Sequence, residues 1–166
     1  MNLFDHTTSW CKGEIAEGTK LSLFGGGISL VSVGSWLWGT GSLWEFLVVP
    51  LGIIGLLHIL AGFYLRRQNR HRLADFASAF QQNPFSFAQE EKSRAEESLA
   101  SYRSSRIIFG GLSIVAILLL SLAPSMIWQA AGIGLLVLGV SALVVDHFSA
   151  GRTRTYLEAI EASFSL

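Results

Sequence analysis

No lysine or arginine lies between Leu21 and Leu65, and none lies between Ile107 and Gly151. Each stretch is 45 residues long and holds one formal charge, Glu45 in the first and Asp146 in the second. Charged residues make up 14% of the chain, against about 25% in a typical soluble domain. Cysteine is nearly absent. The single Cys11 excludes an internal disulfide framework and a cysteine-rich metal site. Twelve basic residues balance twelve acidic ones, so there is no excess charge to attract nucleic acid. Catalytic signatures are also missing: no HExxH, no pair of carboxylates within the apolar stretches and no cysteine cluster appears. Gly25-Gly26-Gly27 lacks the lysine and hydroxyl of a phosphate-binding loop. No metal or cofactor is expected.

What is present is hydrocarbon, in two long blocks. A helix crosses a bilayer with about 20 apolar residues, so each block accommodates two crossings and a tight turn. The sequence therefore predicts an all-α membrane protein with four transmembrane helices arranged as two hairpins. The expected spans are 21–37, 43–65, 107–122 and 127–145. Glycine-rich Gly39-Thr40-Gly41-Ser42 and Ala123-Pro124-Ser125 are the expected turns. Pro50 falls inside the second span, where neighbouring helices can satisfy the carbonyl it frees.

Orientation follows from the distribution of basic residues. In this topology all twelve fall on one side, and both opposite turns carry none. The positive-inside rule then places the N terminus, the central segment and the C terminus in the cytoplasm, with an inner membrane as the expected location. Trp36, Trp38, Trp44 and Trp128 gather at the far ends of the spans, as an interfacial belt does.

Five segments result. Residues 1–20 are expected to form an amphipathic helix in the interface, with Phe4, Thr8, Cys11 and Ile15 on one face. Residues 21–65 and 107–148 are the two membrane hairpins. Residues 66–106 are expected to form a cytoplasmic helical hairpin broken at Asn83-Pro84, its second helix opened by a capping box at Ser86-Phe87-Ala88-Gln89. Residues 149–166 are expected to form a second interfacial helix, with Leu157, Ile160 and Phe164 on its apolar face.

The two blocks resemble each other. Phe24-Gly25-Gly26 parallels Phe109-Gly110-Gly111, Trp44 parallels Trp128 and Arg66 parallels Arg152, at separations of 85, 84 and 86 residues. A tandem duplication is one explanation; the shared composition of helical hairpins is the other.

Candidate functional residues are few. His58 stands eight residues before Arg66, about 12 Å into the membrane at 1.5 Å per residue. An ionisable group at that depth is a functional hypothesis by default. It would serve as a proton relay, a quinone contact or a haem ligand, the last disfavoured because no second histidine lies within the spans, or sit as a neutral imidazole bonded to a serine or a backbone carbonyl. Glu45 is expected to favour the N-terminal end of its helix, or to meet a cation or substrate at a channel mouth. Asp146 and His147 close the last span at the inner interface and would pair with Arg106 or Arg152. Gly25, Gly26, Ser29, Gly55 and Gly62 are expected to let helices approach closely, within the chain or between protomers. Arg66, Arg67, Arg70 and Arg72 either fix topology or attract anionic lipid headgroups.

Together these features predict a non-catalytic subunit or accessory protein of a membrane assembly. Its partners would be the lipid bilayer and either further copies of itself or other membrane-protein subunits. The alternatives are a small oligomeric transporter or channel using His58, and a membrane redox or enzyme subunit.

Overall fold

The computed structural model describes residues 3–40 and 42–164. It consists of four helices: α1 (Leu3–Trp38), α2 (Leu43–Gln82), α3 (Pro84–Leu122) and α4 (Met126–Phe164). No strand occurs among the described residues. All four helices are long and apolar enough to cross a membrane. The expected turns fall between α1 and α2 and between α3 and α4, with Gly41 outside the described residues.

The helices contain 36 to 40 residues, hence run about 54 to 60 Å. A hydrocarbon core about 30 Å thick covers roughly half of that. Each helix therefore has an apolar half and a polar half, and the two halves pack differently. α1 lies along α2, and α3 lies along α4, with further contact between α2 and α4.

The polar halves form a core to which all four helices contribute. Trp10 and Cys11 of α1, Phe76 of α2, Phe87 and Ala95 of α3, and Tyr156 and Ile160 of α4 are buried together. Phe76 and Phe80 each meet Phe87 edge-on. In the apolar halves only three helices share a core, with Ile28, Leu47, Leu51, Ile54 and Ala130 at its centre. Ala116 is the one buried residue in the apolar half of α3.

This arrangement corrects several expectations. Neither terminal stretch is a separate helix: α1 runs unbroken through residue 20 and α4 through residue 149. Their polar ends continue the spans because each finds apolar partners on the other helices, which an isolated interfacial helix would lack. Met1, Asn2, Ser165 and Leu166 lie outside the described residues. The break at Asn83-Pro84 is present, yet the cap is Asn83 rather than Ser86. The Asn83 side chain accepts from the Ser86 backbone N–H at 3.0 Å, and Pro84 occupies the first turn. Proline suits that position because its fixed φ fits the helix and its missing N–H leaves nothing unpaired.

Candidate functional site

His58 is buried at mid-depth of the apolar half of α2. Its Nδ1 lies 2.7 Å from the Ile54 carbonyl, one turn earlier, and its Nε2 lies 2.7 Å from Ser141 Oγ on α4. A carbonyl only accepts, so Nδ1 carries the proton and donates to Ile54. In the neutral ring Nε2 then accepts from the Ser141 hydroxyl. That hydroxyl also donates toward the Leu138 carbonyl at 3.0 Å, so its single proton is shared between the carbonyl and Nε2. Phe24 of α1 meets the imidazole edge-on at 5.5 Å between centroids. Three helices thus hold the ring, and both of its nitrogens have partners.

The glycines explain how α1 and α2 come close enough for this. A Cβ added at Gly25 would stand 2.6 Å from the Gly55 carbonyl and 2.8 Å from His58 Cβ. One added at Gly55 would strike Ser29 Oγ, and one at Gly62 would strike the Gly18 carbonyl. Gly25, Ser29, Gly55 and Gly62 therefore belong to one helix crossing, as small residues at a membrane interface do. Gly26 does not: a Cβ there would meet nothing within 4 Å. It is one position off the packed face.

A second polar cluster lies among the polar halves. Arg152 of α4 donates through Nε and Nη2 to Glu14 Oε1 of α1 at 3.2 and 2.8 Å, and through Nη2 to Glu17 Oε2. Ser149 Oγ donates to the same Glu17 oxygen at 3.4 Å. Nearer the far end of the polar core, the Tyr156 hydroxyl donates to Glu91 Oε2 at 3.0 Å, and Arg94 donates to Glu91 Oε1. Thr7 Oγ1 lies 2.9 Å from the same phenol oxygen, and the Trp10 indole donates to Thr153 Oγ1 at 3.2 Å. The Cys11 thiol donates to Asn69 Oδ1 at 3.6 Å.

Burial dominates the electrostatics of this cluster. It pushes the Glu91 carboxyl above the ordinary carboxylate range, with Arg94 and the Tyr156 hydrogen bond acting the other way. It pushes the Cys11 thiol up to about 12, helped by the nearby Glu91 carboxylate. It raises the Tyr156 and Tyr102 phenols as well, Glu91 adding to the first and Glu14 to the second.

The remaining sequence candidates disperse. Glu45 lies exposed in the first turn of α2, behind an extended Ser42. Asp146 is not paired with Arg152, because Glu14 and Glu17 hold that guanidinium instead. One Asp146 oxygen is buried without a hydrogen-bond partner among the described residues. His147 is exposed and meets the Phe148 ring. Arg66 bonds the Gly62 carbonyl and Ser22 Oγ, tying α2 to α1. Arg72 is partly buried and acts electrostatically on Glu91 and Cys11, while Arg67 and Arg70 are exposed. No group of three potential metal ligands occurs among the described residues.

The sequence reading missed the inward-facing acids Glu14, Glu17 and Glu91, together with Tyr156 and Asn69. The recurrence of Thr7, Trp10, Cys11, Glu14 and Gly18 at helical spacing could have marked the buried face of α1. No known protein family, curated protein or solved structure matches this chain.

Proposed function

We propose that this chain is a small multi-pass inner-membrane protein serving as a non-catalytic accessory or scaffold subunit of a membrane assembly. The observation that carries this reading is the contrast between the two halves of α3. Its polar half buries Phe87, Ala88, Glu91 and Ala95, whereas its apolar half buries Ala116 alone. A helix anchored firmly at one end and left open along its span offers a face to other membrane helices. Ile107, Ile114 and Leu118 are exposed on that open half. His58 fits a supporting role, since its two ring nitrogens are occupied within the bundle.

A photo-crosslinking residue placed at Ile114 or Leu118 in the native membrane tests this. The expected outcome is a discrete protein adduct of fixed stoichiometry, to a second copy or to another chain. Adducts to lipid alone would overturn it. Proton flux through purified protein in liposomes, abolished by His58→Ala, would replace it with transport.

The topology proposed from charge places both termini and the 66–106 segment in the cytoplasm. A duplication of one two-helix unit is supported by register. Ser29 lies against Gly55, and 84 residues further on Ser113 lies against Gly139. Each serine donates to the carbonyl four residues earlier, Gly25 at 3.0 Å and Phe109 at 2.8 Å. Ser32 reaches the Val48 carbonyl at 2.7 Å, and the corresponding pair, Ala116 and Gly132, is again in contact. Trp44 and Trp128 keep the same separation. An offset of 84 thus relates these contacts of one crossing, while Phe24-Gly25-Gly26 and Arg66 align with their counterparts at 85 and 86.

A further inference from the structure

α1 and α4 leave between them a groove of about 700 Å³. Its walls are apolar, with Phe24 on one side and Val140 and Val144 on the other, and Ser141 is set among them. Its mouth is charged, carrying Glu17, Lys20 and Arg152. We propose that the groove binds one membrane phospholipid from the leaflet nearer the helix termini. Its phosphate sits between Lys20 and Arg152, and one acyl chain lies along Phe24 and Val140. This goes beyond the accessory role and does not depend on it.

Donors left without an acceptor at the mouth identify the occupant. Arg152 uses Nε and Nη2 on Glu14, Glu17 and Ser149, and no described residue accepts from its Nη1. The two carboxylates hold the guanidinium at the mouth with that edge unspent. Lys20 is exposed and makes no ion pair with a described residue. Two cationic donors above a hydrocarbon trough match a phosphodiester above an acyl chain. Lys20 has a flexible apolar stem, which lets its ammonium reach the interface while the stem covers the groove wall.

Length supports the same occupant. From Arg152 to Leu136, the deepest α4 residue of the lining, is sixteen residues, about 24 Å along the helix. One leaflet with its headgroups spans roughly 20 to 22 Å, half of the full bilayer. The α1 wall runs seven residues from Glu17 to Phe24, about 10 Å, so the groove encloses the phosphate and the upper part of one chain, and the rest of that chain follows α4. The mouth is formally neutral, Glu14 and Glu17 balancing Lys20 and Arg152, so recognition rests on the phosphate and not on a high headgroup charge.

Native mass spectrometry of the full chain in detergent tests the site, with dioleoyl phosphatidylethanolamine, dioleoylglycerol and inorganic phosphate as probes. The phospholipid is expected to add once per chain, while dioleoylglycerol, which has the same chains and no phosphate, adds at least about tenfold more weakly. Inorganic phosphate in excess should leave the adduct in place. Lys20→Gln is expected to weaken phospholipid binding about tenfold. Val140→Trp, which fills an open groove and not a packed core, is expected to abolish it with helical content unchanged. Equal retention of dioleoylglycerol, displacement by inorganic phosphate, or undiminished binding to Val140→Trp would overturn the proposal. So would a dimer whose partner helix, and no lipid, protects Val140 from labelling after Val140→Cys.

Discussion

The Tyr156 phenol donates to the Glu91 carboxylate at 3.0 Å, joining α4 to α3 at a point where Glu91 is 2% exposed. Hydrogen bonds to charged groups contribute about 1.5 to 3 kcal/mol, and their loss from a buried acceptor costs the most. Tyr156→Phe is therefore expected to lower stability by about 2 kcal/mol at neutral pH. Thermal unfolding in detergent, followed by Trp10 fluorescence, measures it. Trp10 stacks on Tyr156 at 5.3 Å, so the probe reports on this site. An unchanged midpoint would show that the bond has no net worth.

The pH dependence of Glu91 has a definite sign. Burial raises its carboxyl above the ordinary value of 4.5. A folded value above the unfolded one means that folding takes up a proton, so stability is complete below about 4.5 and is lost as pH rises through the folded value. Glu91→Gln removes that dependence while leaving Tyr156 an acceptor. The variant is expected to match the wild type near pH 4.5 and to exceed it increasingly toward neutrality. Paired melting curves across that range check this; a constant difference between the two proteins would refute it.

Arg152 bridges Glu14 and Glu17, which are both buried on α1. Removing the cation strands two carboxylates away from water, a loss of about 3 to 5 kcal/mol where a buried pair is broken. Arg152→Ala is expected to destabilise by that amount. Arg152→Lys should recover only part, because an ammonium lacks the fork that spans two carboxylates. Adding Glu14→Gln and Glu17→Gln to Arg152→Ala should restore at least half of the loss. Denaturant midpoints of the single and triple variants decide it, and full additivity of the losses would count against the bridge.

The coarse layout was legible in the sequence and the polar core was not. A stretch from Leu43 to Leu65 with a single formal charge admits one structure in a bilayer, a helix that satisfies its own backbone. Glycine and proline marked the turns for the same local reason. The inner face of residues 3–20 could not be found by hydrophobicity, because Glu14 and Glu17 lie on it. They are inside only because Arg152 arrives from 138 and 135 residues away. His58 shows the opposite case. A histidine within hydrocarbon must find partners, so a serine or carbonyl neighbour was expected from chemistry alone. Which serine depended on how α4 lies against α2. Gly26 lies off the α1–α2 crossing, and a run of three glycines gives no signal of which one faces that neighbour.

Cys11 should be chemically silent in the folded protein. Its thiol is fully buried, bonded to Asn69, and pushed up to about 12. The thiolate is the reactive species, so at pH about 8 its fraction falls by roughly three orders of magnitude against an ordinary thiol. Alkylation by a water-soluble maleimide is expected to be undetectable over hours in the native state and complete within minutes after denaturation. Rapid native labelling would mean that the polar bundle opens, and the rate would give the free energy of that opening.

The glycine crossings yield a graded prediction that also probes the duplication. A Cβ at Gly62 would press on the Gly18 carbonyl and on Ser22, both of which belong to α1. Backbone atoms yield less readily than side chains, so Gly62→Ala is expected to cost about 1 to 3 kcal/mol through overpacking. Gly26→Ala meets open space and should be neutral, or stabilising by up to about 1 kcal/mol through helix propensity. Gly55 and Gly139 stand in equivalent places, each facing a serine and the carbonyl four residues before it. If they descend from one ancestral crossing, alanine at either should cost a similar amount. The Gly139 contact is the looser one, with its nearest backbone oxygen at 3.0 Å against 2.8 Å for Gly55, so its loss should be slightly the smaller. Unfolding of the single variants in mixed micelles measures all four. A neutral Gly139→Ala beside a costly Gly55→Ala would leave the shared offset without energetic meaning.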